Sequence, residues 1–304
     1  TVVAGVGILL AATEALGSRG LDNLLVPLFA AFFLSGVLEL SDPAAPLLLL
    51  LTYSFLFCWF LTARKSLTAG GSLTAALLGI VVILGTMNFF WLLPLVLFLG
   101  SSSVVGKLFP GTTAGGDAKQ KQPRNATQVL ANGAIYGLLI LVAWPSEHLI
   151  YVRRPITDQL LLVAAAVATA DTWSSEVGQH YRQPTYHLLT WRKIPAGLSG
   201  GVSLAGTLAG LLGAVFIALT CFWLLPYPTP GQVIQIIAAG FLGMLLDSLL
   251  GAAFQGKYRV AGTGELSDVA GERNELVGGY AWMTNDLVNF LAIFLTVLVY
   301  NVLF

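Results

Sequence analysis

The stretch IPAGLSGGVSLAGTLAGLLGAVFIALTCFWLLPYPTPGQVIQIIAAGFLGMLL, residues 194–246, contains no Asp, Glu, Lys or Arg. A bilayer core about 30 Å thick needs about 20 apolar residues per helix, so this run is long enough for two crossings. Pro226, Pro228 and Pro230 divide it, because proline lacks the N–H of a helix interior and clashes with the preceding turn. Residues 66–106 and 125–146 are equally free of charge. Only 10% of all residues are charged and mean hydropathy is +0.81, which excludes a soluble core. Only helices or closed barrels satisfy their backbone in lipid, and the two-residue alternation of barrel strands is absent. The chain therefore reads as an all-α, polytopic integral membrane protein with about nine or ten transmembrane helices.

The expected spans are roughly 24–40, 46–62, 67–85, 89–104, 128–144, 158–175, 200–225, 232–254 and 276–303, with a further helix over 1–15. Threaded this way, thirteen of the fifteen basic residues fall on one side, leaving only Arg153 and Arg154 on the other. Short basic loops stay cytoplasmic, so the basic side is expected to face the cytoplasm or an equivalent compartment such as the stroma. Net charge is zero and acids interrupt the basic residues, which argues against nucleic acid as a partner. Cys58 and Cys221 sit inside apolar runs and read as packing residues. His148, His180 and His187 have no second ligand at a useful spacing and read as surface residues.

Ionisable residues inside a span are costly and usually functional. Asp171, Ser175 and Glu176 close one apolar helix, with the two carboxylates about 140° apart around its axis. Acid there opposes the helix dipole, which favours a cation partner. Asp247, Ser248 and Gln255 close another apolar helix, where Gly251 leaves room on the Asp247 face. Lys193 precedes a glycine-rich segment with Gly200, Gly201 and Ser203 ahead of a span, a setting in which main-chain N–H groups attract phosphate. Lys107, Arg124, Asn125, Gln128 and Asn132 suit an anionic headgroup, and Asn285, Asp286 and Asn289 form a smaller polar set in the last helix. Carboxylates beside cations suit Mg²⁺ bound to phosphates, since Mg²⁺ takes one or two carboxylates and completes its shell with substrate oxygens.

At these motifs the chain resembles the membrane-integral phytyl-phosphate (prenyl-phosphate) kinase family, which includes relatives of transmembrane protein 19. The matching stretches are 64–79, 101–107, 124–133, 170–178, 197–213, 247–255 and 285–289. The resemblance implies phosphorylation of phytyl or a related prenyl monophosphate to the diphosphate by a nucleoside triphosphate, with CTP the preferred donor, in phytol salvage for tocopherol or quinone side chains. Asp171, Glu176 and Asp247 would be the catalytic, Mg²⁺-holding carboxylates, with Asp286 as a fourth. Lys107, Arg124, Lys193 and the backbone of Gly200–Ser203 would hold phosphates, while Asn125, Gln128 and Asn132 orient the headgroup. Ser175, Ser248, Gln255, Asn285 and Asn289 would complete the polar lining.

Residues 1–40 are similar instead to the closing segment of CTP-dependent phytol and dolichol kinases, through Glu14 and the run from Gly20 to Pro27. This implies two parts, 1–40 as the end of a phytol kinase-like segment fused or adjacent to the kinase domain of 41–304. The alternative reading is a transporter or lipid flippase for a phosphorylated isoprenoid. Such a carrier needs polar groups at both membrane faces for alternating access, whereas here they crowd one side.

Overall fold

Thr229 opens the helix that follows the proline-rich break. Its Oγ1 accepts from the Gln232 amide at 3.2 Å, and the Gln232 side chain accepts from the Thr229 amide at 2.8 Å. With Pro230 in the first helical position, this capping box satisfies donors that a helix start leaves open. The computed structural model describes residues 2–16, 59–110, 122–150, 155–181, 183–271 and 273–304, with 26, 27, 30, 34, 54 and 56 besides.

In chain order the elements are α1 (Val2–Leu16), α2 (Ala69–Thr86), a 3₁₀ turn (Phe89–Leu92), α3 (Leu93–Leu108), α4 (Ala126–Ile150), α5 (Pro155–His180), β1 (Thr185–His187), β2 (Lys193–Ile194) and β3 (Gly201–Val202). They continue with α6 (Leu204–Ala218), α7 (Cys221–Leu224), α8 (Pro230–Phe254), β4 (Lys257–Arg259), β5 (Leu266–Ser267), β6 (Glu275–Gly278) and α9 (Asn285–Leu303). Among the described residues seven segments are long and apolar enough to cross a membrane: Ala69–Thr86, Phe89–Leu108, Ala126–Ala143, Thr157–His180, Leu204–Leu224, Pro230–Phe254 and Asn285–Leu303. The protein is a predominantly helical, polytopic membrane protein. The expected spans at 24–40 and 46–62 lie almost wholly outside the described residues.

Two boundaries differ from expectation for one reason, which is short strand pairing outside the apolar runs. The span expected from residue 200 starts at Leu204, because Gly201 and Val202 pair with β1 and Ser203 caps α6. The span expected from residue 276 starts at Asn285, because Glu275–Gly278 pairs with β4 and Thr284 caps α9. The strands form two small antiparallel sheets, ordered β2-β1-β3 and β5-β4-β6.

The chain divides into two compact units. One comprises residues 1–92, 123–130 and 137–153, and the other residues 93–122, 131–136 and 154–304. In the first, Thr68 caps α2 by accepting from the Gly71 amide at 3.1 Å. The Thr68 amide donates to the Arg124 carbonyl at 3.0 Å, and the Arg124 amide donates to the Ser66 carbonyl at 3.2 Å. A side chain at Gly71 would strike the Arg124 carbonyl, so this join requires glycine.

In the second unit α5 is the central helix: every residue from Leu160 to Ala170 is at most 6% exposed. Its neighbours approach through small residues, as membrane helices do when there is no water to drive them together. On α6, Gly210 and Gly213 lie against the backbone of Ala170. On α8, Gly240 meets Ala166, while a Cβ on Gly243 would strike Val167 and come within 2.8 Å of Thr296 Oγ1 on α9.

Candidate functional site

The Gly243–Val167–Thr296 layer brings α5, α8 and α9 close enough for the next polar layer to meet. Asp171 lies four residues beyond Val167, Asp247 four beyond Gly243, and Asn289 seven before Thr296, so each shares a helix face with its small-layer neighbour. The carboxyl groups of Asp171 and Asp247 are hydrogen-bonded to each other. With its amide oriented to donate, Asn289 reaches Asp247 Oδ2 at 3.1 Å and the Asn285 carbonyl at 2.9 Å. Two carboxyl groups in such contact need a proton or a cation between them. The pair is thus a place where a divalent cation can replace a proton without rearranging the helices.

The rest of the expected carboxylate set is not assembled here. Among the described residues no three His, Cys, Asp or Glu side chains converge on one cation position. Glu176 points at α3, where its carboxylate fills the space over Gly106, with Oε2 3.3 Å from the position a Cβ there would take. Asp286 sits in the first turn of α9, where the helix dipole favours an acid. Two carboxylates remain sufficient for Mg²⁺, which completes its octahedron with water and phosphate oxygens.

Several of the other expected binding residues have structural partners. Asn125 Oδ1 accepts from the Gln128 amide and Gln128 Oε1 accepts from the Asn125 amide, both at 3.0 Å. That is a capping box for α4, so helix initiation accounts for both amides. Arg124 and these two residues belong to the first unit, whereas Lys107, Asn132, Lys193 and both aspartates belong to the second. Asn132 is half-buried on α4, and Lys107 and Lys193 are exposed. Ser175 Oγ bonds back to the Thr172 carbonyl at 3.0 Å, and Gln255 is a buried C-cap of α8. Ser248 is half-buried on α8.

The glycine-rich loop is folded inward rather than open as a phosphate cradle. Ser203 Oγ accepts from the Gly206 amide, the Gly201 amide donates to the Leu198 carbonyl at 3.1 Å, and the Ser199 amide donates to Asp268 Oδ2 at 2.7 Å. Gly200, at φ +78°, lies directly on Ala252 of α8. Its glycine character is therefore needed for packing.

Sequence reasoning missed Asp268, Lys257 and His187. Lys257 Nζ lies 3.1 Å from His187 Nε2 and 3.4 Å from the Ala252 carbonyl. His187, expected on the surface, is half-buried and joins β1 to β4. The available signal was the short β-like triplets Thr185-Tyr186-His187 and Lys257-Tyr258-Arg259 beside helix ends. Burial lowers the His187 pKa below its ordinary 6.5, and the Lys257 ammonium lowers it further. Burial also lowers that of Lys257, while Asp268 opposes the shift.

The folded state therefore takes up fewer protons than the unfolded chain as pH falls through about 6.5, and stability declines from there toward the lowered value. Thermal midpoints taken from about pH 7.5 to about pH 5.5 should fall more steeply for the wild type than for His187→Gln. Parallel slopes would remove His187 from the pH response.

A helical fold with a carboxyl pair where three membrane helices converge defines an integral membrane protein with a polar site at its helix ends. The chain belongs to the integral membrane protein family DUF92, whose profile matches residues 52–297. It is 36% identical to the chloroplastic protein VTE6 of Arabidopsis thaliana over 121 residues, 40% of this chain and 30% of VTE6. It is 28% identical to Protein PGR of Arabidopsis thaliana over 283 residues, 84% of this chain and 95% of that protein. An uncharacterised membrane protein of Methanocaldococcus jannaschii is 33% identical over 137 residues, 44% of this chain and 52% of its own length. The chain thus spans under a third of VTE6 and about half of the archaeal relative. No solved structure matches.

Proposed function

We propose that the protein is a lipid-phosphate kinase that converts phytyl or a related prenyl monophosphate to the diphosphate, with a nucleoside triphosphate, CTP by preference, as donor. The observation that carries this reading is the Asp171–Asp247 carboxyl pair held by Asn289 inside three membrane helices. The similarity to VTE6 and the motif resemblance to phytyl-phosphate kinases support it. A phosphate oxygen of the prenyl monophosphate attacks the terminal phosphorus of the donor. The bond from that phosphorus to the bridging oxygen breaks, and the nucleoside diphosphate leaves with the electron pair. The acceptor is already ionised, so no strong general base is needed, and positioning and charge neutralisation suffice.

Asp171 and Asp247 would hold Mg²⁺, which supplies neutralisation of phosphoryl oxygens when bound. Asn289 keeps Asp247 oriented, and the apolar faces of the helices receive the prenyl chain. The site is proposed to face the cytoplasm or its stromal equivalent, following the basic-loop bias. This chemistry would serve phytol salvage for tocopherol or quinone synthesis.

A second reading has its own observation. At the far end of α5 the buried Tyr300 hydroxyl donates to Gln159 at 2.7 Å, and Asp158 beside it is 6% exposed. Buried polar groups at both ends of one helix are what a carrier of phosphorylated isoprenoids would use. Purified protein given phytyl or geranylgeranyl monophosphate, Mg²⁺ and each of the common nucleoside triphosphates separates the two. Diphosphate formed with one nucleotide supports the kinase. Lipid flux across vesicles without product supports the carrier.

A further inference from the structure

Lys257 follows α8 directly, and its ammonium makes two contacts, to His187 Nε2 and to the Ala252 carbonyl. An ammonium has three donors and no acceptor capacity, so Nε2 must accept and the imidazole proton resides on Nδ1. Nδ1 is buried without a hydrogen-bond partner among the described residues. The third Lys257 N–H likewise has no acceptor among them. The nearby carboxylate does not supply one, since Asp268 Oδ2 and Oδ1 accept from the Ser199 amide at 2.7 Å and the Ser199 hydroxyl at 3.0 Å.

The cluster therefore holds a half-buried cation and two N–H groups in want of an acceptor. A lysine that merely closes a helix C-terminus needs one bond to a terminal carbonyl. A lysine that merely joins two sheets would be better served by a carboxylate than by an imidazole, because opposite charges attract and His187 offers none. What the arrangement lacks is an anion. Ala252 lies five residues beyond Asp247 on the same helix, about 7.5 Å along its axis, so the anion's place is near the carboxyl pair.

We propose that Lys257, positioned by His187, binds a phosphate group of a substrate used at the Asp171–Asp247 site. The inference rests on the kinase reading for the identity of that substrate, while phosphate binding itself does not. The shared chemistry is a phosphate oxygen, which either the nucleotide or the prenyl monophosphate can bring.

Full-length protein in lipid nanodiscs is titrated calorimetrically with inorganic pyrophosphate, and separate KM values are measured for nucleotide and prenyl phosphate. Lys257→Met should weaken pyrophosphate binding by about tenfold or more, the usual scale for a charged hydrogen bond. It should also raise one KM by a similar factor with kcat little changed. The substrate whose KM rises is the one Lys257 holds. Lys257→Arg, which keeps the charge, should recover most of both, and this guards against a variant that only misfolds. His187→Phe, which removes the acceptor, should weaken pyrophosphate binding through Lys257 and shift its pH dependence.

Wild-type pyrophosphate affinity and unchanged KM values in Lys257→Met would overturn the inference while leaving the kinase reading intact. Failure of Lys257→Arg to recover binding in a folded protein would overturn it too. Conversely, Lys257-dependent pyrophosphate binding in a protein that turns over no prenyl phosphate would uphold the site and remove the kinase reading.

Discussion

Asp171→Asn and Asp247→Asn are each expected to insert and fold, yet to lower phosphoryl transfer by about 100-fold or more. Charge neutralisation of the phosphoryl group supplies several kcal/mol of a transfer barrier, and each substitution removes one of the two charges available for it. Asparagine keeps the side-chain shape and one acceptor oxygen. The remaining carboxylate can accept from the new amide, so the pair stays bonded without a shared proton. Asn289 retains an acceptor at position 247 in either protein. Stability without Mg²⁺ should therefore be unchanged or higher, while Mg²⁺-dependent stabilisation in the presence of nucleotide should disappear. Thermal midpoints and single-turnover rates on the same preparations check both halves. If the pair only glued helices together, the pattern would invert: poor folding, but normal turnover in whatever protein survives. Full activity with a normal metal response in both variants would place the site elsewhere.

Gly200→Ala is expected to act on stability alone. Its φ of +78° disfavours any L side chain by about 1–2 kcal/mol, and a Cβ there would strike Ala252. Overpacking of that kind costs a further 1–3 kcal/mol or so, together enough to loosen the 195–203 loop from the end of α8. The expected result is a clear fall in thermal midpoint and faster proteolysis within that loop, with substrate KM unchanged in the folded fraction. A raised KM for nucleotide at an unchanged midpoint would mean that the loop binds phosphate after all.

The membrane class was legible because hydropathy is a local property. Charge-free runs of about 20 residues need no partner to be recognised. The break at Pro226, Pro228 and Pro230 was legible for the same reason, and the structure places a capped helix start at Thr229 and Pro230. Asp171 and Asp247 stood out singly, since a carboxylate in an apolar helix is conspicuous wherever its partner lies. Asn125 and Gln128 were visible too, but their i, i+3 spacing is that of a capping box, and the headgroup role overlooked that local use.

What the sequence by itself determined is therefore the solvent each segment prefers, where helices must stop, and which polar residues are out of place in lipid. The tertiary structure decided which of them meet. Asp171 joins Asp247 and Asn289 only because Gly243, Val167 and Thr296 let α5, α8 and α9 approach one layer away. Glu176, on another face of the same helix, is turned toward Gly106 instead. Lys257 and His187, seventy residues apart, meet because two short strands pack beyond the helix ends. Hydrogen bonds demand about 3 Å, a tolerance set by helix crossing and strand register. Neither is encoded in the composition or period of a single segment, and both follow from the packing of several.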